Sequence, residues 1–188
     1  MSAQTYLKLS QRLEDELAKA KREIAELKEL VYKDPLTGLF NRRAFDEALK
    51  VSVSSSMRHN TSLSLLIIDI DDFKKCNDAF GHFYGDSCLL RLAYAMNACK
   101  RSEDIACRFG GEEFALLMPY TNKTDSAQLA ARLQATLSTL DDEKCSLTFS
   151  GGIAELHNTH TFEELFAQAD AAMYRSKEMG KNQSTVWI

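Results

Sequence analysis

Hydrophobic positions in the first 33 residues fall on a heptad. Tyr6, Ser10, Leu13, Leu17, Ala20, Ile24, Leu27 and Val31 alternate steps of four and three, the spacing of a coiled-coil seam. Neither Gly nor Pro occurs before Pro35, so nothing interrupts the helix. With Leu17, Ile24 and Val31 at a and Leu13, Ala20 and Leu27 at d, the a layer is mostly β-branched, which favours two strands. Glu16 and Glu23 then fall at g and Lys21 and Lys28 at the following e positions. A parallel, in-register dimer sets each Glu against a Lys of the partner, and Asp15–Lys19 and Glu29–Lys33 add i,i+4 support within one helix. The alternative is a lone amphipathic helix packed on its own domain.

Beyond Lys33 the pattern alternates between helical and strand periods, which predicts a mixed sheet covered by helices. Arg42 to Arg58 reads as a helix and Ser62 to Ile70 as a buried strand. Gly85 to Lys100 is helical, with Leu89, Leu92, Ala93 and Met96 on its apolar face. Ile105 to Phe109 and Phe114 to Met118 are short strands around Gly110-Gly111-Glu112-Glu113, a hairpin signal. A helix from Asp125 to Leu140, a strand from Leu147 to Ile153 and a helix from Thr161 to Met179 complete the chain, with Gly180 as its C-terminal stop. The expected division is a dimerising helix at 1–33 and one α/β domain at 34–188.

Composition narrows the function classes. The 188 residues are 45% hydrophobic and 27% charged, with 23 Lys+Arg against 27 Asp+Glu. A net charge of −4 argues against binding a nucleic acid polymer, which needs a clustered basic surface. The longest apolar run, Leu65 to Ile68, is far short of the ~20 residues that span a bilayer. With no secretory signal pattern, a cytoplasmic protein is expected. Five cysteines, Cys76, Cys88, Cys99, Cys107 and Cys145, contain no C-x-x-C pair and read as reduced thiols. His157 and His160 are three apart, but in a stretch that looks like a loop.

Chemistry gathers at two points. The strand ending in Asp69-Ile70-Asp71 is apolar until its last residues, where acids appear abruptly. Glu112 and Glu113 follow two glycines at a hairpin tip; glycine lets a backbone turn sharply and lets a ligand approach it. If the hairpin lies beside the Asp69 strand, these carboxylates meet around one pocket. Carboxylate oxygens with open water positions suit Mg²⁺. The alternative is that Asp69 caps the next helix and the glutamates are solvated turn residues. Between the two points lie Lys74, Asn77 and Asp86. Lys74 can neutralise a phosphate, and Asn77 with Asp86 offers the acceptors and donor that would read a guanine edge.

Four ordered segments carry a family resemblance: Asp34-Pro-Leu-Thr-Gly-Leu-Phe-Asn-Arg-Arg43, Asp69 to Asp86, Arg108-Phe-Gly-Gly-Glu-Glu-Phe114, and Ala169 to Lys177. Together they resemble the GGDEF family of diguanylate cyclases, here with a Gly-Gly-Glu-Glu-Phe signature. The resemblance implies a cyclase-like fold with a polymerase-palm-like core, and synthesis of cyclic di-GMP from two GTP with release of pyrophosphate. It places Mg²⁺, two ions per site with Mn²⁺ as an alternative, on Asp69, the Ile70 carbonyl and Glu112, with Glu113 also at the reacting centre. Which acid acts as general base stays open. It assigns Asn77 and Asp86 to guanine, Leu36 and Leu89 to the base pocket, and Lys74, Lys177 and Lys181 to phosphates. At position 181 many members carry Arg, so a point charge replaces a bidentate fork.

Arg101-Ser-Glu-Asp104 resembles the Arg-x-x-Asp site at which the family binds its own product, and Arg132 falls where a second arginine helps complete it. The alternative is an Arg and Asp that pair locally at a helix end, worth little energy. The resemblance further implies one GTP per domain, so two domains must meet face to face, and a parallel coiled coil at 1–33 would tether them. Two other readings are a non-catalytic module that binds GTP or cyclic di-GMP, and a coiled-coil interaction protein with a merely structural domain.

Overall fold

The structure is a computed structural model that describes residues 3–140, 144, 146–156 and 161–188. Cys145, His157 and His160, noted above, lie outside the described residues. In chain order the elements are α1 (Ala3–Tyr32), β1 (Phe40–Asn41), α2 (Arg42–His59), β2 (Leu63–Ile70), α3 (Phe73–Phe80), α4 (His82–Cys99), β3 (Ile105–Arg108), β4 (Glu113–Pro119), α5 (Lys123–Ser138), β5 (Phe149–Glu155), α6 (Phe162–Glu178) and β6 (Ser184–Val186). The strands form one six-stranded sheet in the order β1-β3-β4-β2-β5-β6. β2 runs antiparallel to both β4 and β5, whereas β1–β3 and β5–β6 are parallel. This is the mixed α/β sheet that the sequence predicts.

All of β2 is buried because both faces of the sheet are covered. Strand parity then sorts its side chains. Leu66, Ile68 and Ile70 join one core with residues of α4 and α5, including Leu89, Leu92 and Leu133. Leu63, Leu65 and Ile67 join the other with Phe45 and Leu49 of α2 and Leu165 and Met173 of α6. Each such aliphatic side chain contributes about 1.5–3 kcal/mol over an exposed one. Asp69 has the parity of Leu65 and Ile67 and therefore faces the side on which α6 packs. The same helix approaches β5 at Gly152, where a Cβ would overlap the Ala169 carbonyl oxygen and lie 2.8 Å from Met173 Cα.

α1 is a continuous 30-residue helix, with Leu13, Leu17, Ile24 and Val31 at 57, 55, 52 and 40% exposure. These four seam residues are not buried against the rest of the chain. Glu16 and Glu23 sit 3.6 and 3.9 Å from Arg12 and Lys19 of the same helix, while Lys33 lies over the Phe40 ring at 3.8 Å. These contacts stand in place of the expected Asp15–Lys19 and Glu29–Lys33 pairs. Exposed i,i+4 partners exchange freely at small cost. α1 ends firmly, since Asn41 Nδ2 donates to the Val31 carbonyl at 2.8 Å while its Oδ1 accepts from Ala44 N–H at 3.1 Å. One side chain thus joins the end of α1 to the start of α2. No helix among the described residues is long and apolar enough to cross a membrane.

Candidate active site

The hairpin does lie beside the Asp69 strand. β2 and β4 pair with Asp69 opposite Glu113, and the Ile70 N–H donates to the Glu112 carbonyl at 3.2 Å. Asp69 does not cap the next helix; the cap position of α3 belongs to Asp72. Asp69 is nearly buried, with Lys177 of α6 3.0 Å from its Oδ1. Strand parity explains that pairing, because α6 covers the face toward which Asp69 points. Burial first, and then the charges of Asp69 and Glu113, hold the Glu112 carboxyl above its ordinary value, against the opposing pull of Lys177. Crowded carboxylates with one ammonium among them are chemically suited to a divalent cation. Among the described residues no three His, Cys, Asp or Glu side chains group closely enough to hold a metal by themselves. Asp69, Glu112 and the Ile70 carbonyl would supply an incomplete oxygen set, leaving positions for water and phosphate oxygens as Mg²⁺ prefers.

The hairpin glycines act differently from expectation. Positive φ among the glycines is confined to Gly38, Gly81 and Gly180, so neither Gly110 nor Gly111 is needed for a left-handed turn. A Cβ at Gly110 would instead lie 2.5 Å from Glu113 Oε2. Gly110 gives the exposed Glu113 carboxylate room to fold over the tip.

A second group sits on α3 and α4, which meet at Gly81. That residue ends one helix and begins the next at φ 83°, a conformation that favours glycine. Asn77 Oδ1 is buried and has no hydrogen-bond partner among the described residues. It lies against Gly85, where a Cβ would overlap Oδ1 and come within 2.9 Å of the side-chain carbon. A buried acceptor without a donor costs about 1–3 kcal/mol, and an incoming N–H would recover it. Half-buried Asp86 and buried Leu89 follow on α4, and Leu36 packs on the core that contains Leu89. Gly85→Ala is expected to push the Asn77 amide aside at a cost of about 1–3 kcal/mol, which a urea melt checks.

The three lysines stand in different settings. Lys74 is exposed on the first turn of α3. Lys177 is held by Asp69, and Lys181 Nζ lies 2.8 Å from Asp72 Oδ2. Hydrogen bonds from Lys181 and then Lys75 lower the Asp72 carboxyl to about 2. Asp71, an acid that the sequence does not distinguish from Asp69, is structural. It accepts from Ser150 Oγ (2.6 Å), Thr148 Oγ1 (2.8 Å) and the Asn182 N–H (3.0 Å). It thereby pins the loop that carries Lys181.

Arg108 opens the hairpin segment. Its guanidinium donates to the Gly111 carbonyl at 2.8 Å and to both Asp34 oxygens at 3.3 Å, tying the turn after α1 to the hairpin tip. Burial opposes the Asp34 charge, yet hydrogen bonds from Thr37 and Arg108 hold its carboxyl below the ordinary range. Asp104 is buried, and its Oδ2 accepts from the Arg101 N–H at 2.7 Å. Its Oδ1 has no partner among the described residues. Arg101 is exposed, and Arg132 donates to the Cys99 carbonyl at 2.9 Å. Both arginines therefore stand at the end of α4.

Residues 31–183 match the family described as diguanylate cyclase, GGDEF domain. The chain belongs to the GGDEF family. Diguanylate cyclase DgcP of Pseudomonas aeruginosa is 40% identical over 157 residues, covering 81% of this chain and 23% of that protein. The probable diguanylate cyclase DgcC of Escherichia coli K12 is 35% identical, covering 82% of this chain and 43% of that one. The chain thus spans less than half the length of these curated relatives. Among solved structures, the coiled coil and GGDEF domain of DgcB from Caulobacter crescentus, in complex with c-di-GMP, has TM-score 0.84 at 29% identity and covers 95% of this chain and 98% of that one. Diguanylate cyclase SiaD, in complex with its activator SiaC from Pseudomonas aeruginosa, has TM-score 0.81 at 34% identity, over 97% of this chain and 72% of that one. The GGDEF match begins at residue 31, so nearly all of α1 precedes it, whereas both structural likenesses extend over the helix.

Proposed function

We propose that this chain is a diguanylate cyclase that condenses two GTP into cyclic di-GMP with release of two pyrophosphates, residues 1–33 forming a dimerising helix and 34–188 the catalytic domain. The observation that carries the reading is the pairing of crowded carboxylates, Asp69 and Glu112, with the unsatisfied acceptor of Asn77 on the neighbouring helix pair. One end of that arrangement suits metal-bound phosphates and the other a guanine. Asp69, Glu112 and the Ile70 carbonyl would hold the metal, Mg²⁺ or in its place Mn²⁺, with Glu113 beside the reacting centre. A divalent metal there supplies Lewis-acid stabilisation of phosphate charge and lowers the pKa of the ribose 3′-OH. Asn77 and Asp86 fix the base between Leu36 and Leu89, which orients the 3′-OH of one nucleotide for the α-phosphate of the other. Lys74, Lys177 and Lys181 bind the triphosphate, Lys177 exchanging Asp69 for phosphate oxygen as the site fills. The GTP requirement places the reaction in the cytoplasm. Purified protein given GTP and Mg²⁺ should release pyrophosphate, and EDTA should stop it. GTP bound without any pyrophosphate released would favour a non-catalytic nucleotide-binding module.

One such site holds one GTP, so two copies must face each other. The exposed α1 seam supports a parallel dimer that keeps two domains at the same end. Replacing Leu17 and Ile24 together by Asp puts charges on two successive a layers. Sedimentation is expected to show monomer at micromolar concentration, with turnover per chain falling at least about tenfold as the effective concentration is lost. Turnover undiminished in a monomer would remove the helix from the mechanism. The Arg101, Asp104 and Arg132 group supports product inhibition, since exposed guanidinium forks recognise phosphate bidentately. Arg101→Ala should weaken cyclic di-GMP binding roughly tenfold or more and prolong linear product formation. Inhibition equal to the parent's would exclude this site.

A further inference from the structure

Cys76 and Cys88 lie side by side where the nucleotide pocket is built, and the proposed function gives them no task. Cys76 on α3 immediately precedes Asn77, and Cys88 on α4 stands between Asp86 and Leu89. Their sulfurs are 3.8 Å apart, and Arg91 Nη2 donates to Cys88 Sγ at 3.2 Å. Cys76 retains 8% exposure and Cys88 none, so a small oxidant reaches the first before the second. The other two described cysteines are differently placed. Cys99 contacts Thr136 Oγ1 at 3.3 Å, and burial pushes the Cys107 thiol up to about 12, which leaves almost no thiolate to react.

We propose that Cys76 and Cys88 are a reversible thiol–disulfide pair whose closure by a hydroperoxide disables the nucleotide pocket. The effect on the pocket rests on the assignment of Asn77 and Asp86 to guanine; formation of the bond does not. Cys76 sulfur attacks the peroxide, giving a sulfenic acid and releasing the alcohol, or water from hydrogen peroxide. Cys88 sulfur then attacks the sulfenic sulfur, the S–S bond forms and water leaves. Two thiols are oxidised and one peroxide is reduced. A dithiol reverses the step by exchange, consistent with the transient disulfides of reducing compartments.

Closure must move the sulfurs that α3 and α4 carry. A disulfide needs its sulfurs about 2.05 Å apart, so the present separation must shrink by about 1.8 Å. Asn77 and Gly85 are already packed so closely that one methyl at Gly85 would overlap the amide. Interiors packed to this density pass such a shift to their neighbours, and these neighbours are the residues that read the base.

Treatment of the reduced full chain with hydrogen peroxide should lower its intact mass by about 2 Da, the loss of two hydrogens, and peptide mapping should join residue 76 to residue 88. Calorimetric titration with a non-hydrolysable GTP analogue should then show at least about tenfold weaker binding, restored by dithiothreitol. Cys76→Ser and Cys88→Ala should bind the analogue equally before and after peroxide. If the Cys88 variant does not fold, Cys76→Ser decides alone. Pairing elsewhere, a sulfinic product or no mass loss would overturn the bond, and a formed bond with unchanged affinity would overturn its effect. Reduced protein that takes up no analogue would overturn the guanine assignment itself, and with it the closing of that pocket, while the mass readout still decides the bond.

Discussion

Glu112→Gln should abolish cyclic di-GMP synthesis, by about a thousandfold or more, while leaving the metal-free fold at least as stable as the parent. The activity loss follows from removing one of the two carboxylates proposed to hold the metal, whose charge stabilisation would be worth several kcal/mol, each 1.4 kcal/mol being tenfold in rate. The stability effect has the opposite sign for a physical reason. Burial and the neighbouring Asp69 and Glu113 raise the Glu112 pKa in the folded chain. The folded state therefore binds this proton more tightly than the unfolded state, and the group becomes less unfavourable as pH falls through its raised value. At neutral pH its charge is a cost that Gln does not carry. Thermal melts without metal should give Glu112→Gln a midpoint equal to or above the parent's at pH 7, with the difference shrinking on acidification. Mg²⁺ should raise the parent's midpoint and move the variant's much less. A variant that melts early would make Glu112 a structural residue.

Gly152→Ala should be the most destabilising single methyl addition in the sheet. The new Cβ would overlap the Ala169 carbonyl oxygen and the Met173 nitrogen of α6. Both are backbone atoms inside a helix and cannot rotate away, so helix and strand must separate. Overpacking ordinarily costs 1–3 kcal/mol; with backbone on both sides, about 3 kcal/mol or more is expected. That lowers the melting midpoint by roughly 6–12 °C for a chain of this size. Gly151 supplies the contrast, because its Cβ would meet the Ser184 side chain, with Leu66 Cδ1 at 3.1 Å, and side chains can turn. Gly151→Ala should therefore cost clearly less in a urea melt. Since α6 also carries Lys177, residual folded Gly152→Ala should bind triphosphate weakly. Equal midpoints for the two variants would mean that α6 does not bear on Gly152 as described.

The residues of the site were legible where local pattern carried them, and obscure where distant chain segments decide. An apolar run ending in acids announces β2 and Asp69, and the hairpin announces Glu112 and Glu113. Their meeting depends on β2 pairing with β4, which no local pattern states. α3 leaves no helical period in the sequence because only Phe73 and Cys76 of its eight residues are buried. β1 and β6 are two and three residues long at the sheet edges, below the length at which alternation can be seen. Asp69 and Asp71 look alike in sequence. Asp71 proves structural through Thr148, Ser150 and Asn182, partners far along the chain. Arg108 likewise reaches Asp34 across 74 positions. The heptad spacing of α1 is plain in the sequence, and the structure leaves Leu13, Leu17, Ile24 and Val31 exposed.

The most direct measurement is identification by mass spectrometry of the nucleotide formed when the protein, freed of bound product, is incubated with GTP and Mg²⁺. Cyclic di-GMP accompanied by two equivalents of pyrophosphate is expected, with neither formed by Glu112→Gln. Unchanged GTP, or a nucleotide other than cyclic di-GMP, from dimeric protein with Mg²⁺ in excess would contradict the assignment of this site to cyclic di-GMP synthesis.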